Sequence, residues 1–150
     1  MPDLAASAKR IIESNLYMTL ATADGEGRPW ASPVWFAHED FTRLVWVSKP
    51  EARHSRNLAD RPQAGIVIFD STVGMGAAEA VYLEAEAGQL DDVDDERYVG
   101  VFTRRSEALG WPSWTVEDVR PPAPLRLYRA TASEQFLLGP NDERLAVSLP

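Results

Sequence analysis

The sequence predicts a mainly β protein: about six antiparallel strands in a small barrel, with two to three helices packed outside it. Three observations carry this reading. Short β-branched, aromatic or alternating runs recur along all 150 residues, bounded by Gly, Pro, Asp and Asn. Most of the connections between them are of hairpin length. One short helix falls between the third and fourth strands, and longer helical patterns lie at the start and after Asp91.

Taken in order, residues 3–14 place Leu4, Ala8, Ile11 and Ile12 on one side of a first helix. Tyr17 to Thr22 alternates as a strand, and Asp24-Gly25-Glu26-Gly27 supplies a hairpin turn. The returning strand runs from Trp30 to about His38. Pro33 in its middle cannot donate to a central ladder, which places Ser32-Pro33 at a sheet edge or at a kink. After a turn at Glu39 to Thr42, Leu44 to Val47 forms the third strand. Pro50 then suits a first helical position, and Pro62 closes that helix. Ile66 to Phe69 is the fourth strand. The loop from Asp70 to Gly76 reads as a lid or as a long hairpin connection, and its length favours the connection.

Ala80 to Leu90 is a long strand, with Tyr82, Glu84 and Glu86 on one side and Val81, Leu83, Ala85 and Ala87 on the other. The acidic run from Asp91 to Glu96 has the charge sign that a helix N-terminus prefers. It lacks the glycine and terminal glutamate of a calcium loop. Tyr98, Val101, Phe102, Ala108 and Leu109 give the helix an apolar side. Trp111 and Trp114 follow it, either as core plugs or as an aromatic pocket wall. Beyond the stiff Pro121-Pro122-Ala123-Pro124 spacer, Leu125 to Ala132 and Glu134 to Leu138 make a last strand or strand pair, and Gly139-Pro140-Asn141-Asp142 begins a polar tail. No repeat and no domain boundary interrupts residues 1–150, so a single domain is expected.

Composition limits the chemistry. A formal net charge of -8 disfavours a nucleic-acid partner. With no cysteine there is no disulfide, thiolate nucleophile or thiolate metal site, and His38 and His54 alone make no convincing metal centre. No run approaches membrane-spanning length and no signal-peptide stretch is visible, so a cytoplasmic protein without membrane contact is expected.

Against this acidic background, Lys49, Arg53, Arg56 and Arg61 are gathered in one segment. Arg53, His54 and Arg56 fall at or just after a helix N-terminus, with the Ser48 hydroxyl at the end of the preceding strand. Free backbone N–H groups, the positive end of the helix dipole, a hydroxyl and guanidinium forks together suit a phosphate. The competing reading is a solvated basic face, ion-paired to Glu51 and Asp60. Neither a Walker pattern nor a dinucleotide fingerprint is present.

Three segments carry a resemblance: Trp30-Ala31-Ser32-Pro33-Val34-Trp35-Phe36, the run from Ser48 through Arg53-His54-Ser55-Arg56-Asn57-Leu58 to Pro62, and Tyr82-Leu83-Glu84-Ala85-Glu86-Ala87. By their order and spacing the chain resembles the pyridoxamine 5'-phosphate oxidase-like family of FMN-binding split β-barrels. Leu127-Tyr128-Arg129-Ala130-Thr131-Ala132 is also similar to actinobacterial members. The resemblance implies a six-stranded split barrel and a homodimer with FMN in a groove between subunits. It further implies a flavin-dependent oxidoreductase acting on a small molecule. By position, Ser48, Arg53 and His54 would hold the FMN phosphate, with Val47 and Arg56 beside them. The backbone of Ala31, Ser32, Pro33 and Val34 would run along the isoalloxazine ring. Trp111 or Trp114 could reach the pocket of the partner subunit.

Two departures matter. His54 stands where the phosphate oxidases typically carry lysine, which makes the charge there depend on protonation. Arg144-Leu145-Ala146-Val147 is at most a remnant of their substrate-holding Arg-Leu-x-Pro segment, which argues against vitamin B6 oxidation. The alternatives are the deazaflavin F420 in place of FMN, a non-catalytic flavin or haem carrier with His38 as a conceivable ligand, and a dimer that has lost its cofactor.

Overall fold

The computed structural model describes residues 3–149. Helix α1 (Leu4–Ser14) is capped by the Asp3 carboxylate, which accepts from the Ala6 N–H at 3.1 Å. Its buried face is Ala8, Ile11 and Ile12, as the spacing predicts. Strands β1 (Tyr17–Ala23) and β2 (Pro29–Trp35) make the first hairpin, and Gly27 turns its corner at φ 84°.

The strand expected to run unbroken from Trp30 to about His38 is in fact two strands. After Phe36 the chain continues as β3 (Ala37–Glu39), which pairs with β4 (Arg43–Ser48) and not with β1. Successive side chains point to opposite faces, and both faces of this sheet are covered, so Phe36 and Ala37, each 1% exposed, enter different cores as Leu44 and Val45 do. The break between them lies in the pairing: the Phe36 N–H still donates to Leu16 O, whereas Ala37 lies opposite Val45.

Helix α2 (Arg53–Asp60) leads into β5 (Gln63–Phe69) and β6 (Ala80–Gln89), joined by the long hairpin connection around Met75. Helix α3 (Asp92–Ala108) is capped by Asp91, whose carboxylate accepts from the N–H groups of Val93 and Asp94. Tyr98, Val101 and Phe102 are buried as expected, whereas Ala108 and Leu109 are exposed. A short 3-10 turn (Val116–Val119) precedes β7 (Arg126–Leu138) and β8 (Arg144–Val147). The last strand is one continuous β7 with a bulge, since Glu84 faces Glu134 while Ala85 faces Ala132. The segment read as a polar tail returns as β8 along β7.

The spatial order is β2-β1-β5-β6-β7-β4-β3, with β8 paired to β7. The mainly β, antiparallel split-barrel expectation therefore holds. Eight strands stand where six were expected, because β3 separates from β2 and the tail supplies β8. One core fills the curl of the sheet beneath α1, with Trp46 stacked on Tyr128. A second packs α3 onto β3 and β4. The barrel opens where its long strand changes partner. β2 pairs only with β1, and Trp46 to Ser48 of β4 have no neighbour on the β3 side. Pro33 lies on that free edge, opposite Thr19, within an uninterrupted strand and not at a kink.

Among the described residues, no helix is long and apolar enough to cross a membrane, and no group of His, Asp and Glu side chains is placed to hold a metal ion.

Candidate functional site

The opening between β2 and β4 is a cleft of about 400 Å³. Pro33 and Val34 line it from β2, Val47 and Ser48 from β4, and His54 from α2. The far wall comes from α3 and the loop after it, through Phe102, Ser106, Trp111 and Trp114, with Tyr17 and Leu125 at its rim.

On the α2 side, the Ser48 hydroxyl and His54 Nε2 share a hydrogen bond of 2.7 Å. His54 is 8% exposed, and burial lowers its pKa below the ordinary histidine value of 6.5, so the ring is neutral at physiological pH. Helix α2 begins at Arg53, later than the proline signal indicated. Pro50 belongs to the preceding turn, in which Ala52 N–H donates to Lys49 O at 3.1 Å. Ala52 occupies the cap position, and no side chain caps this helix. An alanine there leaves the first N–H groups of the helix for solvent or a ligand.

Arg53 is exposed, and its guanidinium carbon stacks 4.2 Å from the centroid of the Trp30 ring. Arg56 is exposed as well. Among the described residues neither forms an ion pair, with Glu51, Asp60 or any other carboxylate. The basic face considered from the sequence is therefore solvated but not ion-paired to Glu51 or Asp60, and Arg53 acts at longer range on the Asp24 carboxylate. Of the residues singled out in the sequence, Pro33, Val34, Val47, Ser48 and His54 meet at the cleft. Ala31, Ser32, Arg53 and Arg56 do not line it; the first two run along the same β2 edge, and the arginines flank it on α2.

The α3 side is aromatic. Trp35 meets Trp111 at 5.3 Å between centroids and Phe102 edge-on at 5.0 Å, and Trp114 meets Phe102 edge-on at 5.3 Å. Both tryptophans after α3 thus wall the cleft of their own subunit, and Trp114 also packs against the second core. Trp35, two residues from Pro33 and so on the same strand face, joins this wall from β2. Phe102, on the apolar side of its helix, also lines the cleft.

His38 lies elsewhere. Its ring stacks on Phe41 at 4.4 Å, Nδ1 accepts from the Phe41 N–H at 3.2 Å, and Nε2 is 3.3 Å from Glu13 Oε1. It fastens a turn in which Asp40 and Phe41 have φ of 56° and 60°, and it does not line the cleft.

A curled antiparallel sheet split beside an uncapped, arginine-bearing helix start defines the split-barrel class. A family model described as pyridoxamine 5'-phosphate oxidase matches residues 4–138, and the chain belongs to this family. A pyridoxine/pyridoxamine 5'-phosphate oxidase from Methylibium petroleiphilum is 29% identical over 138 residues, which is 92% of this chain and 62% of that protein. The chain thus spans less than two thirds of this curated relative. Among solved structures, a haem-binding protein from Mycobacterium smegmatis superposes with a TM-score of 0.77 at 22% identity, covering 99% of this chain and 59% of that one. The haem storage protein HutZ from Vibrio cholerae gives a TM-score of 0.71 at 22% identity, covering 91% and 95%. At these identities the structures share the fold.

Proposed function

We propose that the chain is an FMN-dependent oxidoreductase with a small-molecule substrate, acting as a homodimer with the cofactor at the subunit interface. The observation that carries the reading is the α2 start. It combines an uncapped helix N-terminus, a Ser48–His54 pair at the cleft, and two exposed arginines that form no ion pair among the described residues. These donors fit a phosphate dianion. Ser48, His54 and Arg53 would hold the phosphate, with Arg56 and Val47 beside them. The free β2 edge from Ala31 to Val34 offers unpaired backbone groups to a flat ring. FMN, when bound, supplies the electron-transfer chemistry. The protein binds it, orients it and keeps water from its ring.

A second copy is the natural cover for the outer sheet face. Val67, Tyr82 and Phe136 form a shallow apolar groove of about 550 Å³ there, with Glu84 and Arg144 of opposite charge at its border. A two-fold axis across this groove would bring each Glu84 towards the other copy's Arg144.

Haem is the competing ligand, since two proteins of the same fold bind or store it. The local geometry favours flavin. His38 is off the cleft, and His54 stands at the α2 start beside two exposed arginines, a setting that suits an anionic head group. Titrating FMN into the purified protein tests the reading. The expected outcome is stoichiometric uptake, quenched flavin fluorescence and bleaching by NADH or NADPH. A colourless protein that takes up no FMN overturns it. A Soret band would assign haem, and F420 fluorescence carried through purification would assign the deazaflavin.

A further inference from the structure

The cleft has two chemically different sides, and the phosphate-ready α2 side leaves the α3 side without an occupant. That side is walled by Trp35, Phe102, Trp111 and Trp114, and no charged side chain lines the cleft. One neutral donor is left over: the buried Trp35 indole N–H has no partner among the described residues, which suits a carbonyl-bearing ring, whereas Ser106, Ser48 and His54 are engaged. The Ser106 hydroxyl donates to Pro112 O at 2.7 Å, and Ser48 and His54 bond each other.

The wall is also held in place before any ligand arrives. The Trp111 N–H donates to Ser106 O at 2.9 Å, and the Trp114 N–H donates to Thr103 Oγ1 at 2.7 Å, which fastens the loop to α3. Trp111 nevertheless remains 46% exposed, a large apolar surface left open at the mouth of the cleft. Aromatic walls contribute stacking and apolar burial, and an anion brought there would lose its hydration for at most the single neutral Trp35 N–H, with no charge to balance it.

We propose that the α3 side is the substrate subsite, and that it takes flat, uncharged aromatic molecules while rejecting phosphorylated ones. The word substrate rests on the flavin reading; the ligand preference rests on the wall alone. The family's own phosphorylated vitamin substrate is thereby excluded from this side.

Calorimetric titration separates the two. Menadione serves as the flat uncharged probe and pyridoxine 5'-phosphate as the phosphorylated one, each added to FMN-loaded and to flavin-free protein. Menadione is expected to bind both forms. Pyridoxine 5'-phosphate is expected to bind the FMN-loaded form at least about tenfold more weakly. Trp111→Ala should weaken menadione about tenfold, Trp111→Phe should restore it to within about threefold, and FMN affinity should be unchanged in both. Because Trp111 is half-exposed, an unaltered melting temperature confirms that these variants fold.

Equal or tighter binding of pyridoxine 5'-phosphate to the loaded form overturns the proposal. So does menadione affinity that is indifferent to Trp111, or no menadione binding at all. Should FMN fail to bind while menadione still binds flavin-free protein through Trp111, the flavin reading falls and the aromatic subsite stands.

Discussion

Arg53 and His54 are adjacent in sequence but have separate physical situations. Arg53 is exposed and stacked on Trp30, with no ion pair among the described residues, whereas His54 is buried, neutral and bonded to Ser48. Arg53→Ala removes a charge-assisted contact to the phosphate and should weaken FMN by roughly 1.5–3 kcal/mol, measured by fluorescence titration. Unchanged affinity would place the phosphate elsewhere. The histidines make a second prediction, about stability. Burial lowers the pKa of His54 and, against the opposing pull of Glu13, that of His38. With folded values below the unfolded value, the unfolded chain binds more protons as pH falls through about 6.5. Stability is therefore retained above that pH and declines below it. Urea melts across this range should show the decline, and a His54→Gln variant should show a shallower one. At this scale the sequence was informative about residue type and blind to partners. Arg53 and His54 could be picked out by their place before a helix. The Trp30 stack could not, because it depends on how β2 lies across α2.

At the scale of elements, α2 is informative because it lacks a cap. Ala52→Asp would add the missing acceptor and stabilise the helix by about 0.5–1 kcal/mol. The same carboxylate would stand where the phosphate is expected, so FMN affinity should fall as the melting temperature rises. FMN binding left intact would show that the helix start is not the anion site, and loss of stability would show that a side chain at Ala52 does not cap it. The strand between Pro29 and Glu39 shows where pattern reading stopped. Its β-rich composition was evident, but a run of consecutive apolar residues does not say which face each takes. Phe36 and Ala37 enter separate cores, which is a decision made by α1 and α3 from opposite sides of the sheet. The β8 segment was missed for a related reason: Arg144 to Val147 is short and only half-buried, and its ladder exists only because β7 is there to pair with it.

For the whole molecule, the question is what covers the outer face of β1, β5 and β6. Val67 is central to its groove, and Val67→Lys would place a charge at the proposed two-fold contact. Light scattering should then give half the wild-type mass, together with reduced FMN retention if the interface completes the cofactor site. A wild-type protein that is monomeric at micromolar concentration would remove the dimer from the reading. Phe69, at 47% exposure, lies on the same face of β5 as Val67 and offers a further position for the test.

Local chemistry is what the linear chain determined. Alternating burial along β6, the Asp91 cap of α3, the turn at Gly27 and the gathering of basic residues before Pro62 all follow from neighbours within a few positions. The opening of the barrel was settled only in three dimensions. It arises where one strand exchanges partners, and it draws its walls from β2, β4, α2 and the loop after α3. Side chains so distant along the chain meet because the chain leaves β1 at Phe36 and pairs with β4 from Ala37, and no local preference records that change of partner.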